Sequence, residues 1–65
     1  MVYEINVRTE DTYKHMFIIE GGFIICNRDV TIIYEKTIYN QEKIKLNEES
    51  YFFVMYEKNF YKIQL

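Results

Sequence analysis

The sequence predicts an all-β fold, a small antiparallel barrel or sandwich of six or seven short strands in a single domain over residues 1–65. Thirty of the 65 residues are β-branched or aromatic, the types that suit a pleated, half-buried surface, whereas alanine and proline are absent. Turn-forming residues recur about every eight to ten positions, which is typical of short strands joined by tight turns. A chain of this length forms one core near the lower size limit for folding alone.

The most informative stretch is residues 16–26, in which two apolar segments flank Gly21 and Gly22. Glycine adopts positive φ without a Cβ clash, so this pair predicts a two-residue hairpin turn. Both faces of the hairpin are apolar, and we therefore expect it to be covered on both sides and to form the centre of the fold. The predicted cross-strand pairs are Phe17 with Cys26, Ile18 with Ile25, Ile19 with Ile24, and Glu20 with Phe23.

Alternating or continuous apolar residues predict the remaining strands. In the first strand the pattern places Tyr3, Ile5 and Val7 inward. The segment Glu57-Lys58-Asn59 predicts a hairpin loop with Asn59 in the left-handed conformation. The expected strands cover residues 2–8, 13–20, 23–26, 30–34, 44–46, 51–56 and 60–65, and residues 35–39 extend the fourth strand after a bend.

One segment allows two interpretations. Asn47 followed by Glu48 and Glu49 is a common helix start, so a short helix around residues 48–58 is the alternative to a strand. Residues 51–56 are a continuous block of strand-forming side chains, which favours the strand. The core is expected to contain Phe17, Ile19, Ile24, Phe53, Met55 and Ile63.

Net charge and composition argue against several classes of function. The net charge of −2 provides no broad attraction for nucleic acid or anionic lipid. The longest uncharged runs have seven residues, against the roughly 18 needed to span a membrane. No basic region followed by an apolar stretch begins the chain, so we expect a cytoplasmic protein in which Cys26 is reduced. With one cysteine and one histidine, no disulfide, zinc site or cofactor is expected.

A Cys-His pair is the one catalytic hypothesis. In the predicted register His15 lies opposite Arg28 and diagonal to Cys26, where it could act as a base. Cys26 beside Phe17 and Ile24 is better explained as a small buried apolar side chain. No phosphate loop, dinucleotide motif or nucleophile elbow is present, so we expect no catalytic residue and no enzyme.

The aromatic residues favour protein binding. Tyrosine and phenylalanine dominate interface hot spots because they bury a large area at low rotamer entropy. A small chain with surplus apolar strand surface is expected to bind another protein or a second copy of itself, as a non-enzymatic, self-associating module. The expected partner-binding residues are Tyr34, Tyr39, Tyr56 and Phe60, with Lys58 and Lys62 as rim charges.

Two further hypotheses concern the partner. A small barrel that binds single-stranded nucleic acid is the alternative, because bases stack on aromatic side chains beside basic ones. Abundant Ile, Lys, Asn, Tyr and Glu without Ala, Pro or Trp is typical of AT-rich coding sequences, as in many phages and low-GC bacteria. This composition suggests a phage or mobile-element inhibitor of a host protein. The basic strip in the nucleic-acid alternative consists of Lys43, Lys45, Lys58 and Lys62, near Tyr56 and Phe60.

Overall fold

The computed structural model describes residues 2–47 and 50–65, and these form eight strands in two sheets rather than the six or seven expected. The larger sheet has the strand order β1-β8-β7-β4-β5, and the smaller has the order β2-β3-β6. The sheets do not close into a barrel, so the sandwich is the correct one of the two predicted architectures. The strands are β1 (Val2–Asn6), β2 (Phe17–Glu20), β3 (Phe23–Cys26), β4 (Thr31–Tyr34), β5 (Thr37–Tyr39), β6 (Lys43–Lys45), β7 (Tyr51–Tyr56) and β8 (Asn59–Gln64).

The Gly-Gly hairpin has the predicted turn and register. Gly21 and Gly22 have φ angles of 59° and 80°, and β2 pairs with β3 with Phe17 opposite Cys26 and Glu20 opposite Phe23. The expectation that this hairpin is the centre of the fold is wrong, because β2 is the edge of the smaller sheet. Its second face is outward, and Ile18 there is 38% exposed.

Two other hairpins have tight turns that the sequence did not predict correctly. Glu35 and Lys36 have φ angles of 51° and 64°, and they separate β4 from β5 instead of bending one strand. In the β7–β8 turn, Glu57 and Lys58 have φ angles of 49° and 68°, while Asn59 pairs with Tyr56 as part of β8. Positive φ at both central positions matches the twist of the flanking strands. Strand pairing has therefore overridden the preference of Glu and Lys for negative φ.

The antiparallel prediction is wrong for one strand, because β1 runs parallel to β8. Ile5 lies beside Ile63, and the rings of Tyr3 and Tyr61 approach to 5.5 Å between centroids. The alternation of residues 2–8 correctly predicted that Ile5 is buried. Alternation fixes the buried face but not the direction of the neighbouring strand, which only a hairpin connection would have imposed.

Residues 13–15 are also not part of a strand. Thr12–His15 forms a short 3-10 helix, closed by a 2.8 Å hydrogen bond from the backbone N–H of Met16 to the carbonyl oxygen of Tyr13. The turn stacks the Tyr13 ring on the Phe17 ring, with centroids 4.9 Å apart. In an extended strand two residues four apart are separated by about 13 Å, so this ring contact requires the compact conformation.

The core lies between the inner faces of the two sheets. An edge contact between the rings of Phe17 and Phe52, 5.4 Å between centroids, joins the sheets at its centre. The buried apolar residues are Ile5, Met16, Phe17, Ile24, Cys26, Val30, Ile32, Tyr34, Ile44, Phe52, Val54 and Ile63.

The predicted core is correct for Phe17, Ile24 and Ile63, while Ile19 and Phe53 are only half-buried. The prediction that Met55 belongs to the core is wrong, since 48% of this residue is exposed. In β7 the inward residues are Phe52 and Val54, one position out of phase with the prediction. Every residue of this strand is apolar, so alternation gave no information about its faces. Residues 51–56 form the favoured strand, whereas Glu48 and Glu49 lie outside the described residues.

The β7–β8 turn generates a stability prediction. Replacing Glu57 with Asn and Lys58 with Gly in one variant should raise the free energy of unfolding by about 1 kcal/mol, because these residues tolerate positive φ. Urea denaturation measures the change. A double alanine variant at the same positions removes the same side chains but retains a Cβ at both positions, so it should not be stabilised. Equal stability of the two variants would contradict the strain argument.

Candidate functional site

The larger sheet has an apolar face turned away from the core. The strand register places Ile33 and Phe53 on this face with Ile38 at one edge and Glu4 at the other. Four of the six exposed large apolar side chains among the described residues lie here, including Ile38 at 64% and Val2 at 53% exposed. We call this surface the outer face and define it by Val2, Glu4, Ile33, Ile38, Tyr51, Phe53, Met55, Phe60 and Lys62.

Three rings form a cluster at the middle of the outer face. Phe53 belongs to β7, the middle strand, and its ring stacks on that of Phe60 with centroids 5.3 Å apart. Tyr51 meets Phe53 edge-on at 5.6 Å, and the Lys62 ammonium lies 4.6 Å from the Tyr51 ring centroid. Such ring pairs contribute about 0.5–1.5 kcal/mol each beyond area burial, so the cluster is a preorganised apolar platform.

A shallow groove of about 260 Å³ lies at one end of this platform. Ile33, Phe53 and Tyr51 supply apolar walls, while Glu35 and Lys36 of the β4–β5 turn provide a carboxylate and an ammonium at its border. A recess with apolar walls and a charged border is suited to an apolar side chain from a binding partner.

The predicted site residues do not form one surface, and the prediction that Tyr34 is exposed is wrong. Tyr34 is 1% exposed, and its hydroxyl oxygen accepts a 2.8 Å hydrogen bond from the backbone N–H of Asn47. In β4 the side chains alternate, so Tyr34 points inward and its neighbour Ile33 outward. Tyr39 and Tyr56 are half-buried and have the parity of the inner face.

The remaining predicted site residues are distributed over two places. Phe60 and Lys62 lie on the outer face, as part of the ring cluster, and Lys58 is exposed in the β7–β8 turn. The basic strip proposed for nucleic acid is not assembled, because Lys43 and Lys45 belong to β6 in the smaller sheet. Lys43 instead covers the Phe23 ring at 4.4 Å.

Sequence reasoning missed the apolar part of the outer face. Ile38 was assigned to an extension of the fourth strand, and Met55 and Phe53 to the core. One signal could have found them: a central strand that is apolar at every position must present half of its side chains away from the core. The sequence contains such a strand in residues 51–56.

Cys26 is buried, and His15 packs against an aromatic ring. Burial raises the pKa of the Cys26 thiol to about 11, which favours the protonated form that is a poor nucleophile. The His15 ring packs edge-on against Tyr56 at 5.6 Å, and its carbonyl oxygen accepts a 3.2 Å hydrogen bond from the Asn27 side chain. Desolvation and the negative charge of Glu57 raise the pKa of Tyr56. None of these contacts builds a nucleophile and base.

Comparisons with protein-family models, curated proteins and solved structures find no match to this chain. In residues 2–47 and 50–65 no three or more His, Cys, Asp and Glu side chains are grouped so that they could hold a metal ion. Those same residues contain no helix of the length and apolar character required to cross a membrane. The outer face is the described surface with the most exposed large apolar side chains.

The buried tyrosine generates a second prediction. Tyr34→Phe should lower the free energy of unfolding by about 1 kcal/mol, because the hydroxyl accepts the hydrogen bond of Asn47 inside the protein. Tyr51→Phe on the outer face, where the side chain is 42% exposed, is the matched control and should change stability little. Chemical denaturation of both variants checks this. Identical unfolding of the two would contradict a structural role for the Tyr34 hydroxyl.

The buried thiol predicts a pH dependence of stability. The Cys26 pKa is about 11 in the folded protein against an ordinary value of 9.0, so the unfolded chain loses this proton first as the pH rises. The folded state then binds more protons than the unfolded state, and its stability should fall between pH 9 and 11.

Cys26→Ala is the control for this effect. Tyrosine ionisation contributes to both proteins and cancels in the difference between them. Denaturation at several pH values should show a steeper alkaline loss of stability in the native sequence than in the variant. Parallel curves would contradict the shifted pKa.

Proposed function

We propose that the protein is a non-enzymatic module that binds another protein through the outer face. One observation carries this proposal: Ile38, Met55 and Val2 are exposed around the central ring cluster, whose Tyr51 is also exposed, on one sheet surface. Monomeric soluble proteins rarely expose large contiguous apolar patches, and such patches typically mark interaction sites.

The composition of the outer face supports protein as the ligand. Tyrosine, phenylalanine and methionine are enriched at the centres of protein interfaces, where they bury area at low entropic cost. Phe53 and Phe60 are already held by stacking, so little side-chain freedom is lost when a partner covers them. Aliphatic side chains such as Ile38 gain about 25 cal/mol for each Å² removed from water. An inhibitor of a host protein, the hypothesis raised by the composition, is one form of such a module.

Single-stranded nucleic acid is the second candidate, and the ring cluster beside Lys62 is the observation that favours it. Two features weigh against it. The rings of Phe53 and Phe60 stack on each other, and the Lys62 ammonium lies over the Tyr51 ring. The protein also carries a net charge of −2, which opposes a polyanion.

A pair of matched variants tests the proposed function. Met55→Lys adds a positive charge to the outer face, whereas Ile18→Lys adds the same charge to the outward side of the smaller sheet. Immobilised protein is used to capture partners from lysate of the cells in which it is expressed naturally. A partner that is purified and rebound directly should lose about tenfold or more in affinity with Met55→Lys and little with Ile18→Lys.

The other outcomes are equally decisive. Equal loss of the partner in both variants, or loss only with Ile18→Lys, contradicts binding through the outer face. A thymidine 20-mer tests the second candidate. Affinity for this oligonucleotide that falls steeply with salt and is reduced by Lys62→Ala would favour nucleic acid over protein.

A further inference from the structure

We propose that the partner of the outer face is a second copy of this chain, and that the two copies pack face to face about a two-fold axis running along β7. This inference rests on the proposed function and names its partner. The open surface is one face of a five-stranded sheet, and sheets commonly pack face to face about 10 Å apart.

Charge complementarity is the first argument for a second copy. The charged groups around the outer face occur in opposite pairs: Glu4 is register-paired with Lys62 on the neighbouring strand, and Glu35 is followed by Lys36 in the β4–β5 turn. The two pairs lie toward opposite edges of the sheet, because the strand order is β1-β8-β7-β4-β5. A face of this kind has no net charge with which to select a strongly acidic or basic partner.

A two-fold axis along β7 brings these charges together with the correct signs. It places β1 of one copy over β5 of the other, so that Glu4 lies toward Lys36. It also places β8 over β4, so that Lys62 lies toward Glu35. The offset along the strands is about 7 Å, two residues, which long side chains can span. Each contact occurs twice, as two-fold symmetry requires.

The exposed apolar residues show the same complementarity. Ile38 on β5 and Val2 on β1 are the two most exposed large apolar side chains among the described residues, at 64% and 53%, and they lie at opposite edges. The proposed axis places each Ile38 over Glu4 on the β1 edge of the other copy, with Val2 two residues further along the same edge. Phe53, at the centre, meets its own symmetry equivalent, so the most preorganised ring occupies the centre where hot spots are found.

The area of the outer face limits the affinity between the two copies. Five strands about 4.8 Å apart and up to six residues long cover roughly 400 Å² in each copy. Stable dimers bury about 800 Å² per partner, so we infer a weak dimer that forms at high concentration. Each copy has its own buried core between its two sheets. The contact is closed by the two-fold axis, so association stops at two copies.

Sedimentation equilibrium from about 10 μM to 1 mM tests the proposal, with amide NMR shifts recorded over the same series. A monomer–dimer equilibrium is expected, with concentration-dependent shifts confined to β1, β4, β5, β7 and β8. Ile38→Glu, which sets a carboxylate against Glu4 of the other copy, should weaken the dimer about tenfold or more, whereas Ile18→Glu, the control on the other sheet, should leave it unchanged. Far-ultraviolet circular dichroism confirms that each variant is folded.

Charge reversal tests the arrangement of the two copies. Glu4→Lys alone and Lys36→Glu alone should each weaken the dimer about threefold, because each brings like charges together. The two substitutions in one chain should restore the affinity to about the original value. Weakening without restoration would overturn the proposed two-fold axis.

The remaining outcomes separate this inference from the proposed function. A protein that stays monomeric to about 1 mM overturns self-pairing, as does a dimer that is insensitive to Ile38→Glu. If a different partner is still lost with Met55→Lys, the outer face remains a protein-binding surface and only the identity of its occupant is wrong. If neither self-pairing nor a Met55-dependent partner exists, both proposals fail.

Discussion

The structure depends on a constraint in β7, the middle strand of the larger sheet: successive side chains of a strand point to opposite faces, yet this strand is apolar throughout. Phe52 and Val54 point inward, and the ring of Phe52 contacts both Phe17 of the smaller sheet and Tyr34 of β4. The strand therefore links the two sheets and fills the middle of the core. Its outward residues cannot be buried by the same sheet packing, which leaves apolar area at the surface.

The same strand thus supplies both the stability of the fold and its candidate site. A chain of 65 residues buries only about 60% of the surface that it exposes when unfolded, so the inner half of β7 is essential to the core. The outer half is supported by that core, because Phe53 alternates with Phe52 and Val54 on a strand that has neighbours on both sides. The ring cluster is therefore held on a rigid central element rather than on a loop, which favours a preorganised binding surface.

Sequence reasoning predicted the fold class because its signals are local. The Gly21-Gly22 turn fixed the register of β2 and β3 through backbone sterics, and alternation correctly placed Ile5 inward. Prediction from the sequence failed where the deciding interactions are long-range. The parallel pairing of β1 and the left-handed backbone conformation of Glu57 both depend on strands that meet only in the folded sheet. The site was predicted from tyrosine content, and Tyr34 shows why this was insufficient: the faces of uniformly apolar segments are assigned by packing and not by residue type.

The parallel pairing of β1 with β8 has a consequence for how the chain reaches this structure. These two strands are the first and the last of the eight in the described residues, and within that part of the chain no other strand borders β1. Their contacts span nearly the whole sequence, which gives the fold a high contact order and slows its folding relative to a chain built from hairpins alone. During synthesis the hairpins can form as they leave the ribosome, but β1 cannot pair with β8 until β8 emerges. Until then the newly made chain carries β1 as an unpaired strand, and unpaired strands in incompletely folded chains are prone to aggregate.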